Sequence, residues 1–415
     1  MKIAIVGGGF TGLAAGIDLV DAGNEVTIFE SEKKLGGLGI GFRDPDWDWS
    51  LERYYHHIFA NDRAAIKMAT KVGLPPFFTV PRTNSLIGGI EKQLDSPLSL
   101  LAFSDISLLS RLHMGAGLLL MKLIPNGVFL EGSSVVDALP LWVGKEGYEK
   151  IWKPLLTAKF GPYLPVVNLA WFWARVYKRT QALGYFEGGY QALADKMEEY
   201  IKSRGGEIKL GTKVAAVKQD RGGGWRVNDE KFGHLLITTP APLVDKLLGT
   251  GKVSWPKINY LWAQTLILEL EQSLMNGYWL NILDKDFPFM VVVEHTNFVD
   301  KKHYGDKTIV YLGNYLPGDD KRLKMTGDQL MSLYLPFLTK INPAFNKKWI
   351  KKSWSFDAPF TQPVFPTNYS KQIPPMKTDL PGLVVANMSM VYPWDRGTNY
   401  AIESGQKAAS FLKNG

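Results

Sequence analysis

Apolar residues in the first forty positions are grouped as a strand, a helix and a second strand. Residues 3–6 form a short, wholly apolar run, which is typical of a buried strand. A glycine-rich turn follows, and a helix is expected to begin near Phe10. Residues 24–29 predict the second strand, which ends at Glu30. This order predicts the first β–α–β unit of a parallel sheet.

A similar glycine-punctuated pattern returns later in the chain. It predicts a helix over 190–203, strands over 207–210, 213–219, 225–227 and 235–239, a turn at Gly222-Gly223-Gly224, a buried strand over 383–386 and a helix from about Tyr400. These elements belong with the first forty residues and not with the helices between them. We therefore expect one discontinuous unit, built from residues 1–75, 184–245 and 375–415.

The intervening chain has a different pattern. Residues 61–74 predict a helix capped by Asn61. From Pro75 to about Leu183 the chain is strongly apolar and mostly helical in character. Four leucines in this stretch fall at helical spacing, at positions 101, 108, 112 and 119. They fit buried helices, but they also fit helices that cap an apolar substrate tunnel or lie in a membrane interface.

The turn after the first strand carries the spacing of a dinucleotide-binding motif. Gly7, Gly9 and Gly12 satisfy G-x-G-x-x-G, which allows a tight turn, close approach of a diphosphate and close packing of the helix. The diphosphate is then expected on the unpaired N–H groups where the helix begins. Glu30 stands where a carboxylate accepts ribose hydroxyls. A second pair, Gly36-Gly37, favours FAD over NAD, because a long flavin dinucleotide lies across more backbone.

Strand-like runs separated by turns occupy much of residues 258–316. The runs over 265–270, 289–294 and 308–312 suggest one antiparallel sheet. With the apolar helices, they predict a substrate domain of α+β type over residues 76–183 and 246–374. The expected fold class is therefore α/β, with a Rossmann-type FAD-binding domain on a parallel sheet beside this second domain.

The amino-acid composition excludes several kinds of cofactor linkage, metal site and partner. The 415 residues contain no cysteine, which excludes disulfides, thiolate metal ligands, a redox dithiol and a cysteinyl-linked flavin. We therefore expect a non-covalent FAD, no metal and a reducing, cytoplasmic location. The net charge of +8 is scattered, which argues against nucleic acid as a partner. No uncharged apolar run is long enough to span a bilayer, so membrane association would be peripheral.

Clustered polar side chains mark three further segments. His56 and His57 are adjacent and lie near the glycine motif, so we regard them as candidate catalytic residues. Glu294 and His295 end an apolar strand, where they could face a cavity or simply leave the core. Residues 347–352 mix lysines with tryptophan. They fit a solvated face, with an anionic membrane surface or a phosphorylated substrate as the alternative.

Three separated motifs resemble the FAD-dependent amine oxidase superfamily, within its protoporphyrinogen oxidase and phytoene desaturase-like branch. They are GGGFTGLAAGIDL…EVTIFE with GG at 36–37, LGYFEGGYQALADKM…GGEIKLGTKVAAV, and GLVVAN…RGTNYAIESG. The resemblance implies FAD contacts from Gly7, Gly9, Phe10, Thr11, Gly12, Glu30, Ser31, Gly36, Gly37, Leu38, Val214, Asn387, Thr398, Asn399 and Ala401.

This sequence also departs from the family pattern. Asn387 stands where the family usually has Asp, and Leu38 replaces a common Arg. Residues 263–265 lack the Lys that holds a water near flavin N5 in amine oxidases, so amine substrates are less favoured. The similarity of residues 52–57 to desaturases and to UDP-galactopyranose mutase implies that His56 or His57 lies near the ring.

The resemblance implies hydride transfer between flavin N5 and a hydrophobic substrate, isoprenoid- or tetrapyrrole-like, held in a tunnel between the two domains. The electron acceptor is left open. One alternative is a C=C reductase fed by a partner. Another is a non-redox FAD mutase of the UDP-galactopyranose mutase type. A flavin-binding regulatory or scaffold protein is the non-enzymatic alternative.

Overall fold

A computed structural model of the chain describes residues 1–220 and 223–413. Its strands are β1 (Lys2–Val6), β2 (Glu25–Phe29), β3 (Gly41–Phe42), β4 (Leu51–Glu52), β5 (Ile58–Phe59), β6 (Phe77–Thr79), β7 (Thr83–Ile87), β8 (Ile90–Gln93), β9 (Leu183–Tyr185), β10 (Glu207–Lys209), β11 (Val217–Gln219), β12 (Trp225–Val227), β13 (Glu230–Phe232), β14 (His234–Ile237), β15 (Tyr260–Leu270), β16 (Trp279–Ile282), β17 (Val291–Glu294), β18 (Thr308–Pro317), β19 (Ile350–Pro363) and β20 (Leu383–Val385).

The helices lie between these strands, with a long run of them after β8. They are α1 (Phe10–Asp21), α2 (Arg63–Lys71), α3 (Pro97–Ala102), α4 (Leu108–Leu123), α5 (Val135–Val143), α6 (Lys145–Gly147), α7 (Lys153–Phe160), α8 (Leu169–Lys178), α9 (Gly189–Ser203), α10 (Ala241–Leu248), α11 (Gly327–Ile341) and α12 (Thr398–Ser410).

The predicted parallel sheet is present. Five strands pair in the order β10-β2-β1-β14-β20, and every pair is parallel. Residues 3–6 of the central strand β1 are buried on both faces, which is why this strand is a continuous apolar run. Helices α1, α9 and α12 pack with this sheet in one core. The N-terminal motif, the segment after residue 184 and the C-terminal segment thus supply one sheet.

Two glycines allow helices to touch other backbone in this layer. A Cβ at Gly12 would lie 2.0 Å from the carbonyl oxygen of Gly7, so α1 packs directly on the turn after β1. A Cβ at Gly405 would lie 2.1 Å from the carbonyl oxygen of Thr11, so α12 packs directly on the first turn of α1. The middle of α12 and the first turn of α1 are therefore packed backbone against backbone.

The second sheet has seven strands in the order β19-β15-β18-β17-β16-β7-β8. The predicted antiparallel pairing holds except between β16 and β7, which run parallel, so the sheet is mixed. The strands of residues 77–93 were not expected. Thr83–Ile87 reads TNSLI and buries polar Thr83, Asn84 and Ser85, so it has no apolar alternation to reveal it.

The helices of residues 97–178 form a second core, but the interpretation of the regularly spaced leucines as buried was wrong. Leu101, Leu108, Leu112 and Leu119 are 43%, 56%, 53% and 60% exposed. Helix α4 buries only Met114, Gly117 and Met121, which lie on its opposite side. The helical spacing was correct, but it marked the outer face of α4.

Several local expectations need correction. The helix over 61–74 is the shorter α2, and its N-cap is Asp62, whereas the Asn61 amide donates to the carbonyl oxygen of Lys178 over 3.0 Å. The strand over 213–219 is limited to β11. Strand β13 was not expected, and Gly222 of the predicted turn lies outside the described residues.

The basic cluster of residues 347–352 is partly neutralised. Lys351 pairs with Glu271 at 2.8 Å, and Lys352 pairs with Asp44 at 2.7 Å and Asp46 at 2.8 Å. Two of its lysines are thus already paired at a solvated surface.

Within residues 1–220 and 223–413, no helix is both long and apolar enough to cross a bilayer. The same residues contain no group of three or more His, Asp or Glu side chains arranged to hold a metal ion. The proposed domain boundaries stay a prediction.

Candidate functional site

The glycine turn and Glu30 meet at the carboxyl edge of the parallel sheet. Gly7 has a φ of +112°, a conformation that favours glycine, and its N–H donates to the carbonyl oxygen of Phe29 over 2.9 Å. The Glu30 carboxylate accepts from the backbone N–H of Gly8 at 2.7 Å and from that of Glu32 at 2.8 Å. The hydroxyl of Ser31 donates to the same carboxylate. Glu30 is thus fixed at the opening of the turn.

The start of α1 offers free N–H groups beside this carboxylate. Its N-cap, Gly9, supplies no side-chain acceptor, and the first turn contains no acidic residue. The Gly36-Gly37 segment runs alongside: the Gly36 N–H donates to the carbonyl oxygen of Gly8 over 2.9 Å. A Cβ on Gly37 would lie 3.1 Å from the Cα of Gly9. This glycine-lined cradle with open helix N–H groups fits a dinucleotide diphosphate.

The start of α12 is a second open helix end. Its N-cap, Gly397, supplies no side-chain acceptor, and the first turn contains no acidic residue. The Asn399 side chain is occupied elsewhere, because its Oδ1 accepts from the N–H groups of Ala64 and Ala65 at 2.9 and 3.2 Å. Asn399 thereby caps α2 from a distant part of the chain. The side chain is not free for the predicted flavin contact, so any such contact would come from backbone.

Three other residues predicted to contact the cofactor, Val214, Asn387 and Ala401, each have a different local environment. Val214 packs against the apolar cluster that includes Val6 and Phe29, close to the end of β2. Asn387 follows β20, and its Oδ1 accepts from the N–H of Ser389 at 3.1 Å, while its buried Nδ2 has no partner among the described residues. Ala401 donates its own N–H within α12.

A small aromatic cavity lies beside the glycine cradle. Its lining consists of Leu38, Tyr54, Tyr55, His56, Ala263, Thr265, Asn314, Tyr315, Thr361 and Arg396. Leu38 directly follows Gly37, so the cavity continues from the cradle. Strands β15, β18 and β19 of the second sheet form one wall, and residues 54–56 form another.

His56 is the one predicted catalytic residue that lines this cavity. Its Nδ1 lies 2.5 Å from the carbonyl oxygen of Tyr54. A carbonyl can only accept, so we assign the proton to Nδ1 and leave Nε2 as an acceptor. Burial lowers the pKa of His56 to about 4, so the ring is neutral at pH 7.

The other three catalytic candidates lie outside the cavity lining. His57 contacts the Tyr278 hydroxyl at 3.1 Å, and burial lowers its pKa to about 3. His295 contacts the Tyr304 hydroxyl at 2.9 Å. The rings of Tyr185 and Tyr190 separate His295 from His56.

Glu294 has a structural role in the described contacts. Its carboxylate accepts from the N–H groups of Leu274 and Met275, both at 2.9 Å, and from the hydroxyl of Ser273 at 2.6 Å. These contacts anchor the loop after β15. The polar end of β17 is therefore buried within the protein, and it neither lines the cavity nor leaves the core as the sequence suggested.

Glu52 is a buried carboxylate that sequence reasoning did not select. It accepts from the Tyr185 hydroxyl and from the N–H of Tyr190, both at 2.7 Å. Burial outweighs these bonds and raises the pKa of Glu52 to about 7. Its position in the run LERYYHH, which combines charged and aromatic side chains, was the available signal.

Comparison with known proteins identifies the family. The family model described as "Flavin containing amine oxidoreductase" matches residues 10–411 of this chain. The chain belongs to this family. The predicted superfamily and the predicted class of FAD-dependent oxidoreductase are confirmed, and a flavin cofactor follows from the family. That the flavin is held without a covalent bond stays a prediction.

Individual relatives match short segments of this flavin-dependent oxidoreductase. A Synechococcus elongatus protein named "Probable zeta-carotene desaturase" is 42% identical over 73 residues, 18% of this chain and 15% of that protein. A Mus musculus L-amino-acid oxidase is 36% identical over 73 residues, 18% of this chain and 12% of that protein. The chain thus aligns with only a small part of these relatives.

Solved structures share the fold over the full length. A protein from Exiguobacterium sp. 255-15, provisionally named a protoporphyrinogen oxidase, superposes with a TM-score of 0.78 at 18% identity and covers 99% of this chain and 98% of its own. Cyclohexylamine oxidase from Brevibacterium oxydans IH-35A superposes with a TM-score of 0.72 at 15% identity, covering 100% and 98%. The predicted fold class is confirmed.

Replacing Glu30 with Ala tests the cradle. The variant loses the acceptors expected for ribose hydroxyls, and hydrogen bonds to a charged group contribute about 1.5–3 kcal/mol, so we expect roughly tenfold to hundredfold weaker FAD binding. Titration of apoprotein with FAD, followed by flavin fluorescence, gives the dissociation constant. Glu32→Ala, on an exposed neighbour, is the control. Equal FAD affinity in both variants would count against the assignment.

Replacing Glu52 with Gln tests its buried carboxyl group. The folded pKa of about 7 exceeds the ordinary value of 4.5, so this group stabilises the fold fully at low pH and less as pH rises through 7. The difference in unfolding free energy, wild type minus variant, should fall by up to about 3 kcal/mol from pH 4.5 to above pH 7. Denaturant unfolding at several pH values measures it. A difference that rises with pH would contradict the assignment.

Proposed function

We propose that this chain binds FAD non-covalently along the glycine cradle and oxidises or desaturates an apolar substrate held in the aromatic cavity. The observation that carries the proposal is the continuity between Gly37 in the cradle and Leu38 in the cavity wall. A substrate in the cavity would therefore lie against whatever part of the cofactor extends past Gly37. When bound, the flavin supplies at N5 an acceptor for the hydride lost by the substrate.

The cavity walls provide orientation and exclude water. Tyr54 is buried and Tyr55 is half-buried, and burial raises the pKa of Tyr54 and raises that of Tyr55 to about 12, so both phenols stay neutral. Neutral aromatic walls suit an apolar substrate and hold a C–H bond in place without competing charges. The absence of a lysine at residues 263–265 further favours an apolar substrate over an amine.

His56 is the group best placed to accept a proton. Oxidation of a C–H pair removes one hydride and one proton, and the proton needs an acceptor near the reacting carbon. The neutral ring of His56 has its free Nε2 available, because Nδ1 is engaged by the Tyr54 carbonyl. We therefore assign His56 as the acceptor of the substrate proton.

A substitution of His56 tests this role. His56→Gln should slow anaerobic flavin reduction by apolar substrates roughly a hundredfold while FAD content is retained, because one general base contributes about 10²–10⁴-fold. Stopped-flow absorbance of the flavin measures the rate. His113→Gln, at a surface helix, is the control. Reduction at the wild-type rate would remove His56 from the chemistry.

Product analysis separates the alternatives. Flavin reduction coupled to formation of a more unsaturated product supports oxidation. A product formed only from pre-reduced protein, with consumption of the reductant, would indicate a C=C reductase. Turnover by pre-reduced protein without net consumption would indicate a mutase. Protein that takes up no FAD would exclude all three.

We further propose that the outer face of α4 docks on an anionic lipid surface. The leucines of this helix at positions 108, 109, 112, 119, 120 and 123 are all more than half exposed. The helix contains Arg111 and Lys122 and no acidic residue. An exposed apolar face with flanking cations matches the chemistry of helices that lie in the interface of anionic membranes.

Vesicle binding tests the α4 face. The double variant Leu109→Glu with Leu120→Glu should lose at least tenfold in affinity for vesicles containing phosphatidylserine, because two apolar side chains that would insert are replaced by anions. Co-sedimentation measures binding. Leu243→Glu, on α10, is the control, since Leu243 is 37% exposed on another helix. Equal vesicle binding by the double variant and by the Leu243→Glu control would contradict the proposal.

A further inference from the structure

A buried lysine stands behind one wall of the cavity. Lys159 is the penultimate residue of α7 and is only 7% exposed. Its Nζ lies 5.0 Å from the ring centroid of Tyr315 and 5.1 Å from that of Trp171. Among residues 1–220 and 223–413, no carboxylate forms an ion pair with Lys159. The ammonium group thus lies against aromatic faces, and the opposing charge that acts on it is the Asp395 carboxylate, which is beyond ion-pair distance.

Arg396 approaches the same tyrosine from the cavity. Its Cζ lies 4.8 Å from the ring centroid of Tyr315, and its guanidinium donates to the Tyr315 hydroxyl and, over 3.0 Å, to the side-chain oxygen of Gln362. Both partners are neutral. Lys159 and Arg396 therefore place two cations around one ring of the cavity lining.

The one acidic side chain of this cluster, Asp395, already has an ion-pair partner. Asp395 forms an ion pair with Arg175 and accepts from the indole N–H of Trp171 at 3.2 Å. Burial opposes ionisation of Asp395, but Lys159 and Arg175 hold its pKa below the ordinary value. Lys159 and Arg175 thus share one carboxylate, and Arg396 adds a third cation to the cluster without an acidic partner in an ion pair.

Such an excess is unfavourable unless an anion joins it. Burial, with repulsion from Arg175, lowers the pKa of Lys159 well below its ordinary value, and burial lowers that of Arg396 to about 10. Each cation–π contact offsets only a part of the free energy needed to take an ion out of water. The aromatic faces alone do not offset this cost, so the cluster is built for a further negative charge.

We propose that Arg396 binds the anionic group of the substrate, supported by the positive charge of Lys159 behind the Tyr315 ring, so that the substrate is an apolar molecule bearing a carboxylate or a phosphate. This inference rests on the proposed function, because it uses the same cavity. The apolar body would lie against Leu38, Tyr54 and Tyr55, and the anionic group would face Arg396. Charge pairing at one end fixes which carbon of the substrate reaches His56.

The test uses the FAD-loaded protein and three matched probes: benzoate, phenyl phosphate and neutral benzamide. Calorimetry and perturbation of the flavin absorbance measure binding. We expect one or both anions to bind at least tenfold more tightly than benzamide, since hydrogen bonds to charged groups contribute most to such discrimination. Whichever of the two anions binds more tightly indicates whether the anionic group of the substrate is a carboxylate or a phosphate. Equal affinity for all three probes would overturn the inference.

Lys159→Met removes the charge and keeps an unbranched apolar stem. The anion preference should fall roughly tenfold or more, while benzamide affinity is unchanged. The thermal midpoint should stay the same or rise, because replacing a buried unpaired charge with an apolar side chain is often neutral or stabilising. Lys153→Met, on the same helix but paired at the surface with Glu149, is the control and should leave the preference intact. Lys159→Arg should restore part of it.

Two outcomes separate this inference from the function it rests on. If Lys159→Met shifts the flavin reduction potential or FAD affinity but leaves benzoate and phenyl phosphate binding intact, the cations serve the cofactor and the inference is wrong. If the wild-type protein binds FAD and oxidises neutral apolar substrates as fast as their carboxylate analogues, the proposed function stands and the inference again fails. Failure to bind FAD at all would refute the proposed function instead.

Discussion

Close approach of backbone to backbone is the constraint on which the site depends. At Gly12, Gly37 and Gly405 a single added carbon would meet another main-chain atom at 3.1 Å or less. These contacts leave the first-turn N–H groups of α1 open and close to the Glu30 carboxylate. A helix can present such groups to a ligand only when no side chain covers them. The glycines therefore determine both the packing of the layer and the chemistry of its edge.

Beyond this edge, the cavity combines neutral walls with an asymmetric charge. Its phenols and His56 are uncharged at pH 7, because burial raises the pKa values of the former and lowers that of the latter. Positive charge is concentrated near Tyr315. Such an arrangement discriminates between the two ends of an elongated substrate. The exposed leucines of α4 are a separate apolar surface, facing outward and suited to an interface.

The elements that were predicted correctly are those that local sequence patterns specify. The β–α–β unit, α9 and the parallel sheet follow from apolar periodicity and glycine spacing, and the structure contains them. Strand β7 was not predicted, because its buried side chains are largely polar. The exposure of Leu108 and Leu112 could not be predicted, because periodicity gives a face but not what covers it. The role of Lys159 could not be predicted, because its burial among aromatic rings is a property of three-dimensional packing.

The Asn399 side chain has a consequence for how this protein is made. It supplies acceptors for the first turn of α2, whose residues are synthesised more than 330 positions earlier. Strand β14 likewise waits for β20 before its outer edge is paired. The amino-terminal third therefore cannot reach its final state until β20 and α12 have been synthesised, and a chain that ends before α12 would have early segments without these partners.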